Sequence, residues 1–249
     1  MALAEPRAAA EAPGGAPDAA ALDWGGETLH ALADRALWWP RRATLCIADP
    51  HLGKAAAFRA GGVPVPEQAT TKDLSRLSLL IERFSARRLV ILGDLIHAAS
   101  GRAPATMESV ASWRARHTSL DVLLVRGNHD VRAGDPPPDW RVRVVPGPHQ
   151  EAGDGELAFA HEPDEANGRA YVLCGHLHPA VSLAGPSHGV RARCFWFRSR
   201  DRVGVLPAFG TFTGSRCVEV LPGDRVIAVG GRAGAGEGEV VELFGPREG

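Results

Sequence analysis

The chain contains no run of about 18 consecutive apolar residues, the length a helix needs to span a bilayer, so no membrane helix is expected. No secretory leader is expected either. The opening text, MALAEPRAAAEAPGGAPDAAA, has no basic start followed by an apolar block and carries Glu5, Glu11 and Asp18. No C-x-x-C pair occurs among Cys46, Cys174, Cys194 and Cys217. That argues against a zinc knuckle or a disulfide frame and for reduced core cysteines in a cytoplasmic protein. Net charge is −1, so no global basic field advertises nucleic acid. Lysine is scarce: Lys54 and Lys72 are the only two among 28 basic residues. The arginines cluster at Arg191, Arg193, Arg198, Arg200 and Arg202. Two readings of that cluster stay open, bidentate phosphate contact and plain solvated surface.

What is present is the composition of a globular protein, 249 residues with 45% apolar and 23% charged. Residues 1–22, rich in Ala, Pro and Gly, read as a disordered tail. Residues 23–230 read as one domain. Residues 231–249 read as a Gly/Glu-rich C-terminal tail in which EVVELF can add a short strand. Five short apolar runs have strand length: ATLCIA (43–48), RLVILG (88–93), DVLLVRG (121–127), ELAFAH (156–161) and AYVLCGH (170–176). Helical spacing separates the first three. Leu74, Leu77, Ile81 and Phe84 share one face, with Thr71 as the expected N-cap, and Met107, Val110 and Trp113 recur at three-residue intervals. Strand, helix, strand, helix, strand predicts parallel βαβ units. The later runs, close together with Gly and Pro between them, predict antiparallel strands. The text around RALWWP and RCVEVLPGDRVIAV also reads as strand, with a turn at PGD. The sum is an α/β protein with a mixed sheet or a two-sheet sandwich flanked by helices.

Each of the five runs ends in metal-ligand chemistry: Asp49 and His51; Asp94, with His97 after it; Asn128, His129 and Asp130; His161; and His176 and His178. A lone D-x-H or GD is ordinarily a turn. Five such endings in order point instead to a metal site at the carboxyl ends of strands, where loops converge on a rigid frame. Oxygen and imidazole donors without thiolate suit Mn, Fe or Zn. A pair of such ions activates water and clamps a phosphoryl oxygen, and His129 is placed to protonate a leaving oxygen. Pro50, between Asp49 and His51, is expected to hold Asp49 in an extended conformation at the strand end.

The ordered set D-x-H, GD, GNHD, a lone H and GHxH resembles the calcineurin-like metallophosphoesterases over about residues 43–180. RALWWP, HLGKAAAFRAGGVPVP, AHEP and LPAFGTFTG extend the resemblance to the bacterial ligase-associated DNA damage response endonucleases. The resemblance implies a four-layer αββα sandwich of two mixed sheets and two divalent metal ions, with manganese first and iron or zinc as alternatives. By motif, Asp49, His51 and His178 would hold one ion and Asn128, His161 and His176 the other, with Asp94 bridging. His129, steadied by Asp130, would act on the leaving group, and His97 would lie near the scissile phosphate or form a supporting hydrogen bond. Lys54, Arg59 and Arg132 are candidate substrate contacts, and Glu162 either orients His161 or caps a turn. Pro50 and Val131 depart from the family, which favours Leu and Arg there; Arg132 is the neighbour able to substitute.

The implied function is a phosphodiesterase, an endonuclease in DNA repair acting through a metal-activated hydroxide. Its substrate would be single-stranded or flapped DNA and its partners ligase-associated repair proteins, with a homodimer left open. The alternative is a small-molecule phosphodiesterase or nucleotide pyrophosphatase of the same fold. A phosphoprotein phosphatase is disfavoured, because the chain has GDLIHAA and GNHD where that branch has GDxVDRG and GNHE. A catalytically dead scaffold is disfavoured by the full ligand set. Trp38, Trp39 and Trp196 read as core more readily than as base-stacking residues.

Overall fold

The structure is a computed structural model that describes residues 18–65, 68–166, 168–183, 190–230 and 238–244. A seven-stranded sheet is built in chain order from β1 (Ala19–Trp24), β2 (Glu27–Leu32), β3 (Leu37–Trp39), β4 (Thr44–Ala48), β5 (Arg88–Leu92), β6 (Asp121–Val125) and β7 (Val142–Val145). The first four strands meet antiparallel and the last four parallel. Between them run α1 (Lys54–Ala60), α2 (Ala69–Phe84), α3 (Pro104–Arg116) and α4 (Asn128–Ala133). The predicted strands at 43–48, 88–93 and 121–127 and the helices between them are all there.

The second sheet is mixed too. Strands β8 (Leu157–Phe159), β9 (Tyr171–Cys174), β10 (Pro179–Leu183), β11 (Val190–Arg198), β12 (Val203–Val205) and β13 (Arg216–Cys217) lie in the order β13-β10-β11-β12-β9-β8. β14 (Asp224–Gly230) pairs with β11, and β15 (Glu239–Phe244) extends β14. The expectation that the later runs are antiparallel neighbours fails at one consequential place. β8 and β9 are parallel, because the loop between them crosses back before re-entering the sheet.

Strand alternation explains the layering. In β4, Leu45 and Ile47 face the helices with Leu74, Leu77, Ile81 and Phe84, while Cys46 and Ala48 face the second sheet. Val90, Leu92, Leu123 and Val125 join them there against Phe159, Leu173, Phe195 and Phe197. The outer face of the second sheet carries Val172, Cys174, Trp196 and Val226, covered by Leu177, Val218 and Leu243. Among the described residues this layer contains a 3-10 turn (Pro163–Glu165) and loops where helices cover the first sheet. Cys46, Cys174 and Cys194 are buried free thiols, and Cys217 is an exposed one. Trp38, Trp39 and Trp196 are core.

Three local expectations change. The tail expected to run to residue 22 overlaps β1, because Leu22 and Trp24 are buried against the second sheet and draw Ala19–Trp24 into that strand. Residues 1–17 lie outside the described residues. Thr71 is inside α2, whose N-cap is Gln68; the hydroxyl of its neighbour Thr70 instead accepts the Gly53 N–H at 3.1 Å. The PGD turn is present, with Gly223 at φ 87°, but the strand before it is only the two residues of β13. Because Phe195 is fully buried between the sheets, Phe195→Ala should lower stability by about 3–5 kcal/mol. A lower denaturant midpoint at unchanged slope checks this.

Candidate metal centre

The five motifs meet at one edge of the sandwich. Asp49 follows β4, Asp94 lies two residues after β5, and Asn128 three after β6. His161 and His176 each lie two residues after β8 and β9. Since β8 and β9 are parallel, both deliver their histidines to the same end. The backbone turns sharply there. Among the described residues ten non-glycines have positive φ, and five of them are Asp49 (49°), His51 (45°), Asp94 (54°), His176 (68°) and His178 (48°). Such conformations are costly and persist where surrounding structure over-determines them, as at functional sites. Asp49 is therefore left-handed, not extended as Pro50 suggested; aspartate tolerates that region better than most residues.

Packing explains the glycine that opens three of the motifs. A Cβ on Gly93 would stand 2.0 Å from His161 Nδ1, one on Gly127 2.3 Å from Asp94 Oδ1, and one on Gly175 2.5 Å from Asp49 Oδ2. Each glycine makes room for a side chain of a different motif, a relation that spacing along the chain does not reveal.

Two groups of donor atoms result. In the first, His51 Nε2 lies 3.4 Å from His178 Nε2 and 3.7 Å from Asp94 Oδ2, and His178 Nε2 lies 3.7 Å from Asp49 Oδ1. In the second, His161 Nε2 lies 3.0 Å from Asn128 Oδ1, 3.1 Å from His176 Nδ1 and 3.4 Å from Asp94 Oδ1. The Leu92 carbonyl accepts from His161 Nδ1 at 3.0 Å, which fixes the tautomer and leaves Nε2 a bare lone pair. Asp94 thus presents one oxygen to each group. Asp49 Oδ1 is buried with no hydrogen-bond partner, while its Oδ2 accepts the His176 N–H at 2.9 Å.

Lone pairs converging on lone pairs, around two buried carboxylates, repel unless a cation lies among them. Burial and the neighbouring charges move these groups in different directions. Burial pushes His51 down to about 2, His178 and Lys54 adding to the effect. Burial, with Asp49 adding to it, raises Asp94, and burial lowers His97 to about 4. At His161 burial is outweighed by Asp49 and Asp94, and its affinity for positive charge rises. This set of imidazole nitrogens with carboxylate and amide oxygens fits divalent metal ions.

Around these atoms His129 donates its backbone N–H to Asp94 Oδ1 at 2.9 Å and its Nδ1–H to the His97 carbonyl at 2.5 Å. Its Nε2 is turned to the site, 3.9 Å from Asp94 Oδ2. His97 stacks on His129 at 4.8 Å between centroids, and its Nδ1 meets His51 Nδ1 at 3.3 Å. With His51 Nε2 facing Asp94, His51 Nδ1 is the donor of that pair.

Asp130, expected to steady His129, acts on the backbone. Its carboxylate accepts backbone N–H groups from Asp94 (2.8 Å), Gly127 (2.9 Å) and Ile96 (3.4 Å), so it ties the loops after β5 and β6 together from behind. Burial raises it to about 6. Among the proposed substrate contacts, Lys54 is half-buried beside the centre, with Asp94 and Asp49 acting on its charge. Arg59 donates to the Val65 carbonyl at 3.3 Å, and Arg132 is exposed on α4. Glu162 caps the 3-10 turn with Glu165. The arginine cluster is committed to its own chain. Arg191 and Arg193 bond the 213–215 loop, Arg198 and Arg200 pair with Asp201, and Arg202 donates to the Arg169 carbonyl.

No protein-family model matches the sequence, and no curated protein matches it. Among solved structures, the nuclease MPE of Pseudomonas putida is 39% identical, with a TM-score of 0.72 over 84% of this chain and 96% of that one. The chain belongs to the metallophosphoesterases. The phosphoesterase Yfce of E. coli covers 74% of this chain and 86% of its own, at 14% identity and a TM-score of 0.39, too slight a likeness to bear on the reading. As a metallophosphoesterase the chain is a metal-dependent hydrolase of phosphoesters with the α/β two-sheet fold, and its His/Asp clusters are sites for divalent ions. Among the described residues no helix is long and apolar enough to cross a membrane.

Proposed function

We propose that this metallophosphoesterase is a phosphodiesterase that cleaves DNA endonucleolytically, in the service of repair, with two ions of which manganese is the first choice. Asp49, His51 and His178 would hold one ion, and Asn128, His161 and His176 the other, with Asp94 between them. The observation that carries this reading is the pair of oxygen and imidazole donor groups meeting at one edge, with one Asp94 oxygen turned to each. The DNA substrate is supported by the 39% identity to a protein described as a nuclease.

Bound divalent ions lower the pKa of water and neutralise charge on a phosphoryl group. The chain's own part is to orient and to move a proton. His129 is held by the His97 carbonyl so that Nε2 faces the centre, and a proton at that atom can pass to the departing alkoxide. His97 stacks behind it and limits its rotation. Asp130 fixes the loops that carry Asp94 and Asn128. The same geometry serves a small phosphodiester, and this second reading is separated by substrate.

Manganese-loaded protein should nick plasmid or single-stranded DNA. His129→Ala should lower kcat by roughly 10²–10⁴-fold, the usual contribution of a positioned acid, while metal binding persists. Equal cutting by wild type and variant would refute the role of His129. Turnover of a cyclic nucleotide or dinucleotide with none of DNA would select the second reading.

A further inference from the structure

Two exposed phenylalanines stand beside the centre with no role in it. Phe58 lies on α1, the helix that follows Asp49 and His51, and Phe212 lies in the loop after β12. Each is 37% exposed, and they meet edge to face at 5.4 Å between centroids. Phe58 in turn lies 6.4 Å from His97, which is 4.8 Å from His129. A row of rings therefore leads from the surface to the centre.

The loop beneath Phe212 is anchored with unusual density. Arg35 donates to the carbonyls of Ala208 (3.2 Å) and Gly210 (3.3 Å), and Arg76 donates to that of Phe209. Arg193 donates to Thr213 Oγ1 (2.7 Å) and to the Thr213 carbonyl (2.5 Å). On the other side of Phe212, Thr211 gives its N–H (2.9 Å) and its hydroxyl (2.5 Å) to the Asp73 carboxylate. The loop also reaches the metal side directly, for Gly210 N–H donates to the Asp49 carbonyl at 3.3 Å. Both neighbours of Phe212 are thus held by side chains from the core, and the ring between them is left on the surface.

We infer that Phe58 and Phe212 form a nucleobase-stacking subsite, receiving an unpaired base next to the phosphodiester at the centre. This rests on the DNA reading above. A phenyl face accepts any base, so the subsite gives a preference for single-stranded substrate without sequence choice. Lys54, at the start of the same helix and close enough to Asp49 and Asp94 to feel their charge, supplies a cation near the strand's phosphates.

The test compares a thymidine strand with one in which abasic sites replace the bases, by the KM of manganese-loaded protein. Wild type should favour the base-bearing strand by roughly 5- to 100-fold, the usual worth of one stacked base. In Phe58→Ala and Phe212→Ala that ratio should fall toward one, and Phe58→Tyr and Phe212→Tyr should restore it. The tyrosine variants keep the comparison decisive if an alanine variant fails to fold. A wild-type ratio near one, or a ratio unchanged by alanine, would overturn the subsite while the DNA reading stands. If wild type cuts neither strand yet hydrolyses a small phosphodiester, the DNA reading fails and the subsite with it.

Discussion

Asp94→Asn should abolish hydrolysis, by on the order of 10³-fold or more, and leave the metal-free protein at least as stable as wild type. The two halves come from one cause. Asp94 is buried, and burial together with Asp49 raises its pKa, so without a cation its charge is a burden on the fold. Asparagine keeps the shape and an oxygen for the His129 N–H. With metal the balance reverses. The lost charge faces both donor groups, and several kcal/mol of stabilisation at the phosphoryl centre correspond to at least three orders of magnitude in rate. Thermal melting with and without manganese checks this. Wild type should gain about 2.7 kcal/mol at a hundredfold excess of metal over Kd, and the variant should gain much less. A variant that melts lower than wild type in chelator, or that gains equally from manganese, would sink the bridging role.

Gly93→Ala, a change of one methyl group, should cripple the protein in a different way. Gly93 has φ 80°, a region that costs other residues about 1–2 kcal/mol. Its new Cβ would fall 2.0 Å from His161 Nδ1 and 2.5 Å from Cγ. The His161 ring is buried and cannot swing into solvent. Moving it breaks the bond to the Leu92 carbonyl and withdraws Nε2 from Asn128 and His176. Overpacking adds roughly 1–3 kcal/mol to the backbone cost. Expected results are a loss of about 2–5 kcal/mol in stability and weaker metal binding by calorimetry. Wild-type melting and metal affinity in this variant would show that the loop can yield, which the burial of His161 argues against.

The motifs were legible because each candidate donor sits within four residues after a strand, and strands announce themselves by apolar runs. Helices α2 and α3 were legible for the same kind of reason, their apolar spacing, whereas α1 falls in a stretch that reads as loop. What escaped were pieces whose signal is weak or long-range. β1 is alanine-rich and looked like tail, because Leu22 and Trp24 become core only once the second sheet lies over them. Asp130 reads as support for the histidine beside it, but its carboxylate accepts from amides 34 and 36 residues away as well as from that of Gly127. Phe58 and Phe212 were invisible as a pair, since nothing local relates positions 154 residues apart.

The sequence by itself determined the donor types, their order and their place at strand ends, because hydrophobic periodicity and turn chemistry are local properties. Tertiary structure alone decided that β8 runs parallel to β9, so that His161 and His176 reach one edge. It also decided that three glycines clear space for side chains of other motifs, and that Asp49, His51, Asp94, His176 and His178 take left-handed backbones. Those outcomes depend on which segments touch across the fold, and only the packed chain holds that information.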